Sequence, residues 1–257
     1  FLDYPGHLTF DIGYTDSNVL TITPEDWNLD VYLIESPDGL CSSIVHLFRR
    51  MIGRSYIPPR WAFGYGQSRW GYMDEKDIRQ VARGYRENGI PLDAIYLDID
   101  YMERYKDFTV SGERFPDLPG LVSDMKKEGI HLVPIIDAGV KIEKGYSVYE
   151  EGVKNNYFCK EADGTDFVGA VWPGRAHFPD VLNPEVRRWF GRKYKYLLDM
   201  GIEGFWNDMN EPALFYSEKR LKKVFGELEK FKGQNLDLEK NNAFLGLINT
   251  QANNPED

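Results

Sequence analysis

The chain has 257 residues, 42% of them hydrophobic, and its 31 Lys and Arg against 41 Asp and Glu leave a net charge of −10. A core of useful size can be buried at this length, and the acidic balance, with no basic patch or stripe, argues against nucleic acid as a partner. No apolar run approaches the ~18 residues of a membrane span, and Phe1-Leu2-Asp3-Tyr4-Pro5-Gly6 lacks the basic flank and apolar run of a secretion signal, so no membrane partner is expected.

Residues 1 to 36 read as short strands, such as His7 to Ile12 and Val31 to Glu35, separated by Gly, Asp and Pro turns. They suggest the end of a β-sandwich. An amphipathic helix from Gly39 to Ile52 follows, and Pro58-Pro59 stops it, which sets a domain boundary and a first domain of residues 1–57.

From Trp61 the pattern alternates strand and helix, as in a parallel α/β fold. Strands are expected at Ala62 to Gly66, Ala94 to Asp100, His131 to Asp137 and Gly204 to Asn207, and helices at Asp77 to Asn88, Leu118 to Lys127 and Pro184 to Met200. Three of the four strands run into acids: Asp98 and Asp100, Asp137, and Asp208. Acids at the C-terminal ends of parallel strands are where a (β/α)₈ barrel, the TIM barrel, keeps its chemistry. Roughly 200 residues follow Trp61, whereas a whole barrel takes about 250 and only four strands are spent by Asp208. The expectation is the first half of a barrel over residues 58–215. Residues 216–257 then read as a charged helix, Glu218 to Lys232, and a polar Asn-rich tail with the apolar patch Phe244 to Ile248.

The cysteines Cys41 and Cys159 lack metal-ligand spacing and favour a reducing, cytoplasmic setting. His7, His46, His131 and His177 form no HxH or HExxH pattern, so neither a metal nor another cofactor is expected. Six Trp and sixteen Tyr beside many carboxylates suit a neutral sugar, whose C–H faces stack on rings while its hydroxyls bond to acids. The most informative stretch is Trp206-Asn207-Asp208-Met209-Asn210-Glu211-Pro212, two acids and two amides directly after an apolar strand.

With that stretch in hand, six ordered blocks resemble glycoside hydrolase family 31, the retaining α-glucosidases and α-xylosidases. They are Pro58 to Gly64, Arg69-Trp70-Gly71-Tyr72, Asp98-Ile99-Asp100-Tyr101-Met102, Pro134-Ile135-Ile136-Asp137, Val171-Trp172-Pro173-Gly174, and Trp206 to Pro212. The resemblance implies that Asp208 is the nucleophile, ionised and paired with a protonated acid about 5–5.5 Å away. It implies further that Asp98 binds the 4- and 6-hydroxyls of the innermost sugar, that Trp172 and Trp206 wall the pocket, and that Ile99, Ile135 and Met209 floor it. Trp70 is placed at the rim. Asp100 and Asp137 stay unassigned, because an acid near a strand end can simply tie a loop.

The family's acid/base Asp lies in an Arg-Ser block followed by a Gly-Asp-Asn block on a later strand, and neither follows Asp208 here. The expected function is therefore removal of terminal α-linked glucose from an oligosaccharide, with the remainder of the same polypeptide supplying the acid/base. A homo-oligomer is neither required nor ruled out. Two rivals stand beside it: a β-glycosidase using Glu211 of Asn210-Glu211-Pro212 as acid/base, and a carbohydrate-binding module without catalysis.

Overall fold

The structure is a computed structural model that describes residues 1–210, 213–229 and 232. The chain divides into two compact units, Phe1–Pro58 and Pro59–Asp257. In the first, β1 (Leu2–Asp3) pairs antiparallel with β4 (Asp30–Val31), and β2 (Leu8–Ile12) with β3 (Leu20–Pro24). Helix α1 (Cys41–Ile52) completes it, with the Phe48 ring packed on Phe1. Among the described residues these are two separate two-stranded sheets, and the expected strand at Val31 to Glu35 ends at Val31.

The second unit is built on four parallel strands. They are β5 (Gly66–Gln67), β6 (Ala94–Leu97), β7 (His131–Asp137) and, far along the chain, β11 (Trp206–Asp208), and the sheet order is β11-β7-β6-β5. β7 is buried at every residue after His131, as a central parallel strand covered on both faces must be. The connecting helices α2 (Glu75–Glu87), α3 (Leu118–Lys127) and α5 (Pro184–Lys193) begin alike: Asp74, Asp117 and Asn183 each accept a hydrogen bond from a first-turn N–H that the helix itself leaves unpaired. Each turns apolar residues inward, such as Ile78 and Ala82, Leu121 and Met125, and Val186 and Trp189.

Between β7 and β11 the chain makes a lobe that periodicity does not reveal. It comprises β8 (Val140–Lys141), α4 (Ser147–Asn155), β9 (Gly169–Val171) and β10 (Gly174–His177). The strands form an antiparallel sheet, which β12 (Tyr216–Ser217), just after β11, joins by pairing with β9. α6 (Lys195–Leu198) precedes β11, and α7 (Glu218–Glu229) is the last described helix.

Three expected elements come out differently. Ala62 to Gly66 is not a strand: Arg60–Phe63 forms a 3₁₀ turn, and pairing starts only at Gly66. Ala94 to Asp100 stops pairing at Leu97, where Asp98 caps a 3₁₀ turn over Ile99–Tyr101. The helix from Pro184 breaks after Lys193 into α5 and α6. The polar tail and its patch at Phe244 to Ile248 lie outside the described residues.

Gly152 on α4 faces the buried Phe158 ring, which a Cβ there would strike, whereas the exposed Gly191 on α5 has open space. Gly152→Ala is expected to cost about 1–3 kcal/mol through overpacking. Gly191→Ala, by contrast, is expected to add about 0.5–1 kcal/mol through helix propensity. Urea midpoints moving in opposite directions at constant m-value would bear this out, and a shift of the same sign would refute it.

Candidate active site

Strand register decides which side chains meet. Partners on adjacent parallel strands face the same way, and so do residues two apart along one strand. Tyr96 pairs with Val133, Trp206 with Ile135, and Asp208 with Asp137. Tyr96, Asp98, Ile135, Asp137, Trp206 and Asp208 therefore share one face, since the backbone stays extended through Asp98. At the C-terminal end of that face is a cleft of about 320 Å³ lined by Ser68, Arg69, Trp70, Tyr96, Asp98 and Trp206.

Trp70, Asp98 and Trp206 thus stand together. Trp206 is pinned by its Nε1–H, which donates to the Leu97 carbonyl at 3.1 Å, and by the edge-on Tyr96 ring at 6.4 Å. Trp172, in the β9–β10 turn, meets Trp70 at 5.7 Å and Phe215 at 4.9 Å. These three rings are only partly covered, Trp70 being 70% exposed. Ile99 and Ile135 are buried in the core and do not line the cleft. Met209, directly after Asp208, has φ +58, a left-handed turn that costs a non-glycine residue roughly 1–2 kcal/mol. Glu211 lies outside the described residues.

The two unassigned acids separate. Asp100 is a tie: buried, it accepts from Arg114 Nη1 at 3.2 Å, and its Oδ2 fills the space beside Gly71, where φ is +69. Asp137 makes no such bond. It is 3% exposed, and neither carboxyl oxygen has a hydrogen-bond partner among the described residues. Asp107, which no motif marks, is fully buried, its Oδ1 accepting from the Asp137 N–H at 2.9 Å and its own carbonyl accepting from Tyr146 Oη at 2.8 Å.

The electrostatics follow from this crowding. Burial pushes the Asp137 carboxyl up to about 7, with the charges of Asp208 and Asp98 adding to it. Burial raises Asp98 as well, against the pull of the Ile99 N–H that donates to Oδ1 at 2.8 Å, while Asp100 and Asp208 push further. Burial drives Asp107 well up, against the pull of the Asp137 N–H, and the Asp137 charge adds to it. Among the described residues no cluster of three or more His, Cys, Asp or Glu could hold a metal ion.

Raised carboxyl values fix the sign of a pH effect. Such a group stabilises the fold fully below its unfolded value, about 3.9, and loses that contribution as pH rises through its folded value. For Asp137 the loss runs up to about 7. The urea midpoint is expected to fall between about pH 4 and pH 7 and then level off, and Asp137→Asn is expected to flatten that slope. An equal slope in parent and variant would contradict this account of Asp137.

Comparison with known proteins identifies the family. The profile "Glycosyl hydrolases family 31 TIM-barrel domain" matches residues 55–250. Over 221 residues the chain is 42% identical to "Alpha-glucosidase 2" of Bacillus thermoamyloliquefaciens, covering 86% of this chain and 28% of that protein. It is 31% identical to "Alpha-glucosidase" of Saccharolobus solfataricus over 229 residues, 89% of this chain and 32% of that one. A solved family 31 α-glucosidase from Bacteroides thetaiotaomicron superposes with TM-score 0.71 at 34% identity, over 82% of this chain and 35% of that one. The chain spans about a third or less of the length of these relatives. With an α/β half-barrel sheet whose strand ends gather Asp98, Asp137 and Asp208, and a profile match across most of its length, the chain belongs to glycosyl hydrolase family 31, a family of glycosidases that includes these α-glucosidases.

Proposed function

We propose that this chain supplies the nucleophile half of a retaining α-glucosidase that removes terminal glucose from oligosaccharides. The observation that carries the reading is the placement of Asp208, half-exposed at the end of β11, on the same sheet face as Asp98 and the cleft-lining Trp206.

In the proposed reaction an Asp208 carboxylate oxygen attacks the anomeric carbon from the β side as the α-glycosidic C–O bond breaks. The departing oxygen takes a proton from an acid outside these residues, on the remainder of the polypeptide. Water, deprotonated by that same group, then cleaves the β-glycosyl ester, and two inversions give net retention. Asp98 binds hydroxyls of the innermost sugar, and Trp206 and Trp172 wall it. Trp70, more exposed, stacks on the next sugar out. The first unit is proposed to be the end of the β-sandwich that precedes the barrel.

In the polypeptide carrying the complete barrel, Asp208→Ala is expected to lower turnover by about 10⁴-fold or more. Azide, small enough to occupy the space left by the carboxylate, is expected to restore turnover of α-glucosyl fluoride and give β-glucosyl azide. α-Glucosyl azide as the product, or near-parent activity without azide, would remove Asp208 from the nucleophile's role. Trp70→Ala is expected to raise KM about tenfold for a disaccharide with little change in kcat, the loss of one stacked ring. An unchanged KM would take Trp70 out of the subsite.

A further inference from the structure

We propose that Asp137 is the positioning residue for Asp208: it carries a proton, and its carboxyl O–H donates to the Asp208 carboxylate, aiming the attacking oxygen and keeping a second negative charge out of the site. The inference rests on the reading of Asp208 as nucleophile.

Three features of the fold lead there. Asp137 and Asp208 are register partners on adjacent parallel strands, so their side chains leave the sheet on the same face. Asp137 is almost wholly buried while Asp208 is half-exposed, so of the two it is Asp137 that solvent cannot relieve of charge. Neither of its oxygens meets a donor among the described residues, and an anion there would be a buried charge without a partner. A tie to a loop is not its task. That tie is made by its backbone N–H, which donates to Asp107.

The titratable groups facing Asp137 are Asp208 on β11, Asp98 after β6, and Asp107 and Tyr101 on the segment between β6 and α3; the three acids add no positive charge, and Tyr101 Oη donates to the Ile135 carbonyl. Two carboxyls so placed hold one proton between them more readily than none. Losing that proton leaves two like charges side by side, which drives the side chains apart and spoils the line of attack.

The test is the rate constant for inactivation by 5-fluoro-α-glucosyl fluoride across about pH 5 to 9, in the polypeptide carrying the complete barrel, compared for the parent, Asp137→Asn and Asp137→Leu. Fluoride leaves without a proton, so the acid/base residue drops out of the profile. Saturating inactivator removes the contribution of Asp98 to binding. The parent rate is expected to fall about tenfold per pH unit above the loss of the shared proton. Asp137→Asn, whose amide donates at every pH, is expected to stay within a few-fold of the parent at about pH 6 and not to fall. Asp137→Leu is expected to react about 100-fold more slowly at all pH values, as when one preorganised donor is removed.

An Asn profile that superposes on the parent's overturns the proposal, as does a folded Leu variant reacting at the parent rate. If circular dichroism shows the Leu variant unfolded, the Asn profile decides alone. Peptide mass spectrometry separates the two layers of the argument. A label on Asp208 with unchanged pH profiles removes only the role of Asp137, whereas a label on another residue removes the nucleophile assignment itself.

Discussion

The register of β7 against its two neighbours is the constraint on which the site depends. Asp98, Asp137 and Asp208 come from segments of the chain that are far apart in sequence, and only the pairing of β6, β7 and β11 brings them to one end of one face. A slip of one residue in β11 would carry Asp208 and Trp206 to the opposite face while Asp137 stayed. The structure resists such a slip with more than backbone ladders. Trp206 Nε1–H reaches past β7 to the Leu97 carbonyl on β6, and Tyr101 Oη, fully buried, donates to the Ile135 carbonyl. Trp206 is thus both a wall of the cleft and a clasp between strands that do not pair.

The lobe between β7 and α5 is tied to that register. β12 leaves the loop after β11 and pairs with β9, which lies in the loop after β7, so loops from two adjacent barrel strands are zipped into one antiparallel sheet. Phe215 N–H donates to the Ala170 carbonyl at 2.9 Å, and Lys141 Nζ to the Pro173 carbonyl at 2.8 Å. The turn bearing Trp172 is held from both sides. An aromatic ring in an otherwise free loop would lose much of its stacking energy to ordering; here the sheet has already fixed the backbone that carries it.

Long periodic segments could be read directly from the sequence, and for a physical reason. β7 is six buried residues in a row, and α3 combines an Asp cap with buried Leu121 and Met125 and a left-handed glycine, Gly129, just beyond its end. Ala62 to Gly66 misleads because aromatic and small residues there mimic a strand, while the residues bend into a 3₁₀ turn and Tyr65 instead accepts from Asp93 and Ala94. The lobe was hidden because its strands are two to four residues long, too short for any period to emerge. Trp70, Asp98 and Trp206 could be placed from their motifs, whereas Asp107 has none: its importance is its burial, a property of the assembled fold.

Buried acid oxygens without partners and a left-handed turn lie beside the strand ends. Asp107 and Asp137 are both deeply buried with unpaired oxygens, and Met209 takes a left-handed turn beside Asp208. The charges of Asp208 and Asp98 act against an ionised Asp137, so a neutral Asp137 avoids a large part of what the cluster would otherwise cost. The remaining strain is held by packed strands whose buried residues Ile95, Leu132 and Ile135 anchor the strand ends. A sheet assembled for stability alone would carry none of these features at its strand ends. Asp137 opposite Asp208 and Met209 beside it set such features at the ends of two adjacent strands, where packing alone does not call for them.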